Sequence, residues 1–170
     1  MNLLFKALFV LFLVLGGGML MGAFFTAGFE MPSAAMEPAI ASGDLVLVNR
    51  NSIRMRDPQR GDLVLFHVPG EETVTIRRII GLPHEGIEIT NGVVSVNGQP
   101  LNEPWLKQLD KEGPKVDAPA PDFTAPIVTG DEMYFLMGDN RKGSRDSRVF
   151  GPVKKNLLLG RVWSFGYLAL

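Results

Sequence analysis

The sequence predicts an all-β domain of antiparallel strands that follows a single N-terminal transmembrane helix. An uncharged apolar run occupies the N-terminal region, and short runs rich in valine, leucine and isoleucine recur through the rest of the chain. Gly, Pro, Asp and Arg separate these short runs, and none of them has helical periodicity. At 170 residues the chain has room for one membrane anchor and one globular domain.

The N-terminal run Ala7–Phe29 contains no charged residue and is long enough to cross a bilayer of about 30 Å as a helix. A cleaved signal peptide is the alternative, but the run exceeds the usual apolar region of such peptides and no clear A-x-A site follows it. Lys6 precedes the run and Glu30 follows it, so the positive-inside bias places the N-terminus in the cytoplasm. We therefore expect residues 1–30 to form a cytoplasmic tip and an anchor, and residues 31–170 an extracytoplasmic domain.

Two Asn-Gly dipeptides predict tight turns in the body of the chain. Asn91-Gly92 separates two alternating runs and is the strongest short hairpin signal, because both positions tolerate a positive φ. Asn97-Gly98 closes the second of these strands with another turn. The region from Gln99 to Gly130 is rich in proline and loses the alternation, which predicts an extended or loosely paired insertion.

We expect antiparallel sheets around one core, closed or sandwich-like, with little helix outside the anchor. The predicted strands are Asp44–Asn49, Asp62–Val68, Thr73–Ile80, Gly86–Thr90, Val93–Val96, Glu132–Met137 and a last one near Gly160–Phe165.

Composition excludes several classes of function. The formal net charge of −1 gives no basic surplus of the kind that nucleic-acid-binding proteins show, so we expect no nucleic acid partner. The chain has no cysteine, which removes disulfides, thiolate metal sites and cysteine nucleophiles. His67 and His84 lie in different segments and do not form an HxxxH-like pair, so we expect no metal site and no other cofactor.

Three motifs in order along the chain resemble those of the type I signal peptidases, which are serine peptidases with a Ser-Lys dyad. Met31–Pro38 reads MPSAAMEP, where the family has Pro-Ser-x-Ser-Met-x-Pro and the second serine is the nucleophile. Thr75–Glu85 reads TIRRIIGLPHE and matches the strand motif that carries the lysine, and Gly138–Arg148 reads GDNRKGSRDSR. The resemblance spans about Met31–Arg161. It implies a signal-peptidase-like β fold and the removal of signal peptides from secreted pre-proteins after small residues.

Both dyad positions are substituted in this chain. The resemblance places Ala35 at the nucleophile and Arg77 at the general base. Alanine has no nucleophilic atom, and a guanidinium cannot give up its proton in a protein as a desolvated lysine can. Lys142 is expected to be exposed and His67 to be a strand-face residue, so neither is expected to replace the base. We predict that the chain is catalytically inactive as written, although the family it resembles is enzymatic.

Other positions of the family's site are retained. By the resemblance, Ser33 contributes its hydroxyl to the oxyanion hole and Ser144 orients the base, while Asp146 and Arg148 form a charged pair that braces the site from behind. Without the resemblance, the segment 138–148 would be interpreted as a polar surface loop that joins two strands.

Two accounts of function remain open at the level of sequence. In the first, the protein is a signal peptidase of a bacterial cytoplasmic membrane, single-pass, whose dyad carries natural or introduced substitutions. In the second, it is a natural non-catalytic paralogue that binds precursor peptides or a partner in peptide processing or pilus assembly. Both accounts imply extended pre-protein signal peptides and membrane lipid as partners.

Overall fold

The structure is a computed structural model that describes residues 26–106 and 123–164. It contains two short α-helices, α1 (Ser52–Met55) and α2 (Ser147–Phe150), and 3₁₀ turns at Ala34–Met36, Pro104–Leu106 and Lys155–Leu157. The strands are β1 (Thr26–Glu30), β2 (Leu45–Asn49), β3 (Leu63–His67), β4 (Val74–Gly81), β5 (Gly86–Thr90), β6 (Val93–Val96), β7 (Gln99–Pro100), β8 (Phe123–Val128), β9 (Met133–Met137), β10 (Val153–Lys154) and β11 (Leu158–Ser164).

The strands form two sheets. The larger sheet has seven strands in the order β1-β2-β11-β3-β4-β9-β10, and the smaller has four in the order β7-β6-β5-β8. Every pairing in both sheets is antiparallel. The predicted class, mostly β and antiparallel with little helix, is therefore confirmed for the described residues.

Both Asn-Gly turns are formed as predicted. Asn91 and Gly92 have φ values of 51° and 76° and join β5 to β6, with Thr90 opposite Val93. Asn97 and Gly98 have the same pair of values and join β6 to β7. Positive φ at both central positions is the type I′ pattern, whose twist matches that of the flanking strands.

The ends of the proline-rich region belong to the smaller sheet. Gln99–Pro100 pairs with β6, and Phe123–Val128 pairs with β5. Residues 107–122, between these ends, lie outside the described residues. The segment predicted as an extended or loosely paired insertion therefore contributes both edge strands of the smaller sheet.

The C-terminal end of the predicted anchor is a strand. Thr26–Glu30 pairs with β2 from Thr26 opposite Asn49 to Glu30 opposite Leu45. The rest of the apolar run, residues 7–25, lies outside the described residues, so the anchor stays a prediction there. Across the parts of the chain that the structure describes, none of the helices combines the length and the apolar character that a membrane span needs.

Buried apolar side chains form three clusters where we expected one core. Strand β4 joins them, because Ile76, Ile79 and Ile80 each belong to a different cluster and all are fully buried. Successive residues of a strand point to opposite faces, so a single strand that is buried on both faces can serve several clusters. Strand β4 thus connects the three clusters.

Gly81, the last residue of β4, is predicted to tolerate no side chain. A Cβ atom there would lie 2.8 Å from both Ile87 Cδ1 and Phe135 Cβ, where the two sheets meet. Because this packing cannot yield without moving backbone, we expect Gly81→Ala to lower the free energy of unfolding by about 1–3 kcal/mol. Gly130→Ala is the control, since its Cβ would meet nothing closer than 3.5 Å. Urea unfolding of both variants tests this, and equal stabilities would contradict it.

Candidate functional site

The first motif forms a tight turn directly after β1. The Met31 N–H donates to Asp44 O at 2.9 Å, and the Gly43 N–H donates to Met31 O at 2.8 Å, which fixes the start of the motif. The chain then passes through Ser33, in extended conformation, into the 3₁₀ turn Ala34–Met36. Ala35 is 2 % exposed, so its methyl group is held inside the domain.

The segment 138–148, here called the GDN loop, closes over this turn. The backbone N–H of Asn140 donates to Ala35 O at 3.1 Å, and its side-chain Nδ2 donates to Ala34 O at 3.2 Å. At Gly138 a Cβ atom would lie 2.2 Å from Ser144 Oγ and 2.5 Å from Ala35 O. Only glycine fits at this position, and its absence of a side chain brings Ser144 and Ala35 together.

Asp146 and Arg148 hold the GDN loop in its closed shape. The Asp146 carboxylate is fully buried and accepts the Gly138 N–H at 3.0 Å. It also accepts the Arg148 backbone N–H at 3.1 Å and the Arg148 Nε–H at 2.9 Å. The carboxylate thus joins the two ends of the loop. The structure brings Asp146 and Arg148 together.

Arg78 and Asp139 form a second buried ion pair, which the sequence analysis did not identify. Arg78 Nε donates to Asp139 Oδ1 at 2.7 Å, and Arg78 Nη1 donates to Gly61 O at 2.8 Å. The guanidinium also lies 5.0 Å from the centre of the Trp105 ring, a cation–π contact. The signal in the sequence was the second arginine of the Arg-Arg pair together with the aspartate of the Gly-Asp-Asn motif.

Arg77 points at the opposite end of the GDN loop. Its Nε and Nη2 atoms both donate to the carbonyl of Arg145, at 3.3 and 2.9 Å. Its Nη1 donates to Thr75 Oγ1 at 2.9 Å and to Ile76 O at 2.6 Å. These acceptors are all uncharged. Arg77 is 5 % exposed, and this burial lowers its pKa to about 10, partly offset by the charge of Asp146.

Ser144 lies beside the turn but has no hydrogen-bond partner in the described part of the chain. Its Oγ is buried, and the whole residue is 8 % exposed. The Arg77 guanidinium is bonded to the carbonyl of the next residue, Arg145. The resemblance implies that Ser144 orients the general base, but in the described residues its hydroxyl has no hydrogen-bond partner to orient.

The remaining candidates lie at the edge of the site or away from it. Ser33 is partly buried, and its side chain makes no capping hydrogen bond to the turn that follows. Lys142 is exposed, as expected, and His67 is half-buried at the end of β3 opposite Val74. Within residues 26–106 and 123–164 no group of three or more His, Asp or Glu side chains is arranged to hold a metal ion.

Comparisons with known proteins all indicate the same family. A family model described as signal peptidase, peptidase S26, matches residues 2–166. Signal peptidase I V of Bacillus subtilis (strain 168) is 37% identical over 139 residues, which cover 78% of this chain and 80% of that protein. The crystal structure of a signal peptidase I from Enterococcus faecalis V583 matches with a TM-score of 0.55 and 33% identity, and the match covers 64% of this chain and 98% of that chain.

A probable signal peptidase I-2 of Synechocystis sp. is 34% identical over 139 residues, which cover 78% of this chain. The matched region covers 59% of the length of that relative.

We predict that Ser144→Ala leaves the free energy of unfolding unchanged or raises it by up to about 1 kcal/mol, because it removes a buried hydroxyl that has no partner. Ser147 is the matched control, since its buried Oγ accepts the Leu136 N–H at 2.9 Å. Ser147→Ala leaves that N–H unsatisfied and is expected to cost about 1–3 kcal/mol. Chemical denaturation of both variants makes the comparison, and a loss at Ser144 equal to that at Ser147 would show a bonded hydroxyl.

Proposed function

Because this chain belongs to the signal peptidase family, peptidase S26, we propose that it binds extended segments of pre-proteins at the family's catalytic position and does not cleave them. The observation that carries the proposal is the pair of side chains at the two dyad positions. A buried methyl group lies at position 35, and a buried, four-fold hydrogen-bonded guanidinium lies at position 77.

The nucleophile position offers no group that can attack a carbonyl. Acyl transfer by this family's chemistry needs an oxygen that loses its proton and bonds to the carbonyl carbon. Ala35 has only its methyl group, and Ser33, two residues away on the chain, belongs to the extended approach to the turn. Loss of a serine nucleophile in such sites typically costs about 10⁶ in kcat, so the remaining groups would give negligible turnover.

The base position keeps its proton at every pH where such an enzyme would work. Burial disfavours the charged form of Arg77 and lowers its pKa to about 10, still well above neutral. Below that pH the side chain is a cation in both the folded and the unfolded chain, so the burial penalty on its charge is fully present there. The penalty is relieved only as pH rises above about 10. At pH 9 the guanidinium is therefore still predominantly protonated.

Peptide binding can survive these losses. Strand β1 is the end strand of the larger sheet and runs directly into the turn at Ala35, so an extended peptide could pair with it and reach the site. The small residues Ala34 and Ala39 flank the buried part of the turn and are partly exposed, which leaves room for small side chains of the peptide. Recognition would then rest on backbone pairing and shape, as strand addition does.

A recently inactivated peptidase is the second candidate, and the Ser144 hydroxyl favours it. A lysine at position 77 would offer this hydroxyl an ammonium partner, whereas the arginine is bonded to Arg145 O instead. The four hydrogen bonds of Arg77 favour the first candidate, because they describe a pocket that already satisfies a guanidinium. The two candidates differ in what happens when the dyad is rebuilt.

Membrane attachment is part of the proposal. With β1 beginning at Thr26, the apolar run available for a span is residues 7–25, about 28 Å at 1.5 Å per residue, which still matches the hydrocarbon core of a bilayer. The domain would then lie on the extracytoplasmic face of a bacterial cytoplasmic membrane, in contact with membrane lipid, where pre-proteins emerge.

We predict that the unaltered protein does not cleave a pre-protein with a small-x-small site at pH 7 or pH 9, and that Ala35→Ser combined with Arg77→Lys restores cleavage. Each single variant should stay inactive, because it supplies a nucleophile without a base or a base without a nucleophile. Gel assays of protein purified in detergent, with host peptidase excluded, measure this.

Ser144→Ala added to the double variant is the control. It should lower the restored rate at least about tenfold, because a lysine needs a positioned partner to act as a base. A double variant that folds, binds peptide and stays inactive at pH 9 would support the binding protein over the recently inactivated enzyme. Cleavage by the unaltered protein would contradict the proposal.

We also predict that alkaline phosphatase fused after Leu170 is active, because the charge pattern around the anchor directs the domain out of the cytoplasm. A green fluorescent protein at the same point serves as the reciprocal reporter and should be dark. A fluorescent fusion without phosphatase activity would show the opposite orientation.

A further inference from the structure

The basic side chains of the site are paired with carboxylates, with two exceptions. Within β4 and the GDN loop, salt bridges within 4 Å link four arginines to acidic residues, and only Arg77 and Lys142 have no such partner among the described residues. The pairs are Arg78 with Asp139, Arg141 with Glu103, Arg145 with Glu71, and Arg148 with Asp146.

The two unpaired cations differ in their surroundings. Lys142 is exposed, where water solvates an ammonium well, so its lack of a partner is ordinary. Arg77 is 5 % exposed, and its four hydrogen bonds all end on neutral oxygens. An isolated buried charge is unfavourable unless a counter-charge neutralises it. The charge of Asp146 acts on Arg77 from beyond ion-pair distance, so the buried guanidinium has no carboxylate in direct contact among the described residues.

Hydrogen-bond donors remain unused around this charge. A guanidinium has five N–H groups, and the four bonds of Arg77 leave one N–H on Nη2. The Ser144 hydroxyl is buried without a partner among the described residues. It lies close to both Arg77 and the turn at Ala35, because the Arg145 carbonyl that binds Arg77 directly follows Ser144, and Ser144 Oγ and Ala35 O both lie within 2.5 Å of where a Cβ on Gly138 would be.

We propose that this cluster binds the C-terminal carboxylate of an already cleaved peptide that ends in a small residue. The inference rests on the proposed function, since it names the kind of peptide the site prefers. In a peptidase, the scissile carbonyl occupies this position and is neutral. Here a fixed cation replaces a neutral base and a methyl replaces the attacking oxygen, so a carboxylate in place of the scissile carbonyl would neutralise the buried charge.

The carboxylate is favoured over an uncleaved amide for the same reason. An amide carbonyl accepts hydrogen bonds but carries no charge to offset that of Arg77, whereas a carboxylate adds the attraction between two opposite charges to the hydrogen bonds. Capture of a C-terminal carboxylate is a known mode of peptide recognition, and here the donors would be the Arg77 guanidinium and the Ser144 hydroxyl. The chain would hold the product of a cleavage that another peptidase performs.

The test compares three synthetic peptides with one small-x-small sequence, by titration calorimetry on the full chain in detergent at pH 7.5. The first ends at the site as a free acid, the second is its C-terminal amide, and the third continues for about ten residues beyond the site. We expect the acid to bind at least tenfold more tightly than the amide. In Arg77→Met this ratio should fall below about two, and in Arg77→Lys it should be intermediate.

Lys142→Met is the matched control, because it removes the other unpaired cation and should leave the ratio unchanged. Equal binding of acid and amide by the unaltered protein would overturn the inference and leave the proposed function standing. Failure of all three peptides to bind would overturn both. If the acid-to-amide ratio is lost in Lys142→Met and kept in Arg77→Met, surface charge causes the preference for the acid, and the inference is overturned. The acid-to-amide ratio of the unaltered protein is decisive even if Arg77→Met does not fold.

Discussion

Two consecutive buried arginines on β4 hold the GDN loop against the sheet, and the arrangement of the site depends on them. Neighbouring residues of a strand project to opposite faces, so Arg77 and Arg78 reach the loop from two sides. Arg78 binds Asp139 near the start of the loop, and Arg77 binds the carbonyl of Arg145 near its end. With both ends fixed, the middle of the loop lies over the turn at Ala35. Breaking the buried Arg78–Asp139 pair would leave one charge uncompensated in the interior, a loss of about 3–5 kcal/mol in comparable cases.

Much of the fold follows from local chemistry that the sequence displays. The Asn-Gly turns need positive φ at two successive positions, and the apolar runs around them alternate, so those strands could be predicted nearly to the residue. Strand β1 was hidden inside a long apolar run, because hydropathy does not distinguish the end of a membrane span from a buried strand. Strand β10 has two residues, too few for any periodicity.

The parts of the site that lie within one sequence motif could be predicted from the sequence. The parts that depend on contacts between distant segments could not. Asp146 and Arg148 lie two residues apart on the loop, and their pairing follows from the motif. The roles of Asn140 and Arg78 arise from contacts across 106 and 61 positions of the chain, which no local pattern contains. The orphaned Ser144 hydroxyl likewise depends on where the Arg77 guanidinium ends, and a longer, planar side chain cannot be placed from its neighbours in sequence.

The hydrogen bonds that hold the turn at position 35 are made to its backbone. Asn140 donates hydrogen bonds to the carbonyls of Ala34 and Ala35. Gly138 has no side chain, which leaves room for the carbonyl of Ala35. These hydrogen bonds do not involve the side chain at position 35, whose buried methyl group packs in an apolar cluster. An exchange of the reactive group at position 35 therefore leaves the hydrogen bonds of the turn in place, so the backbone geometry of the site can outlast its chemistry.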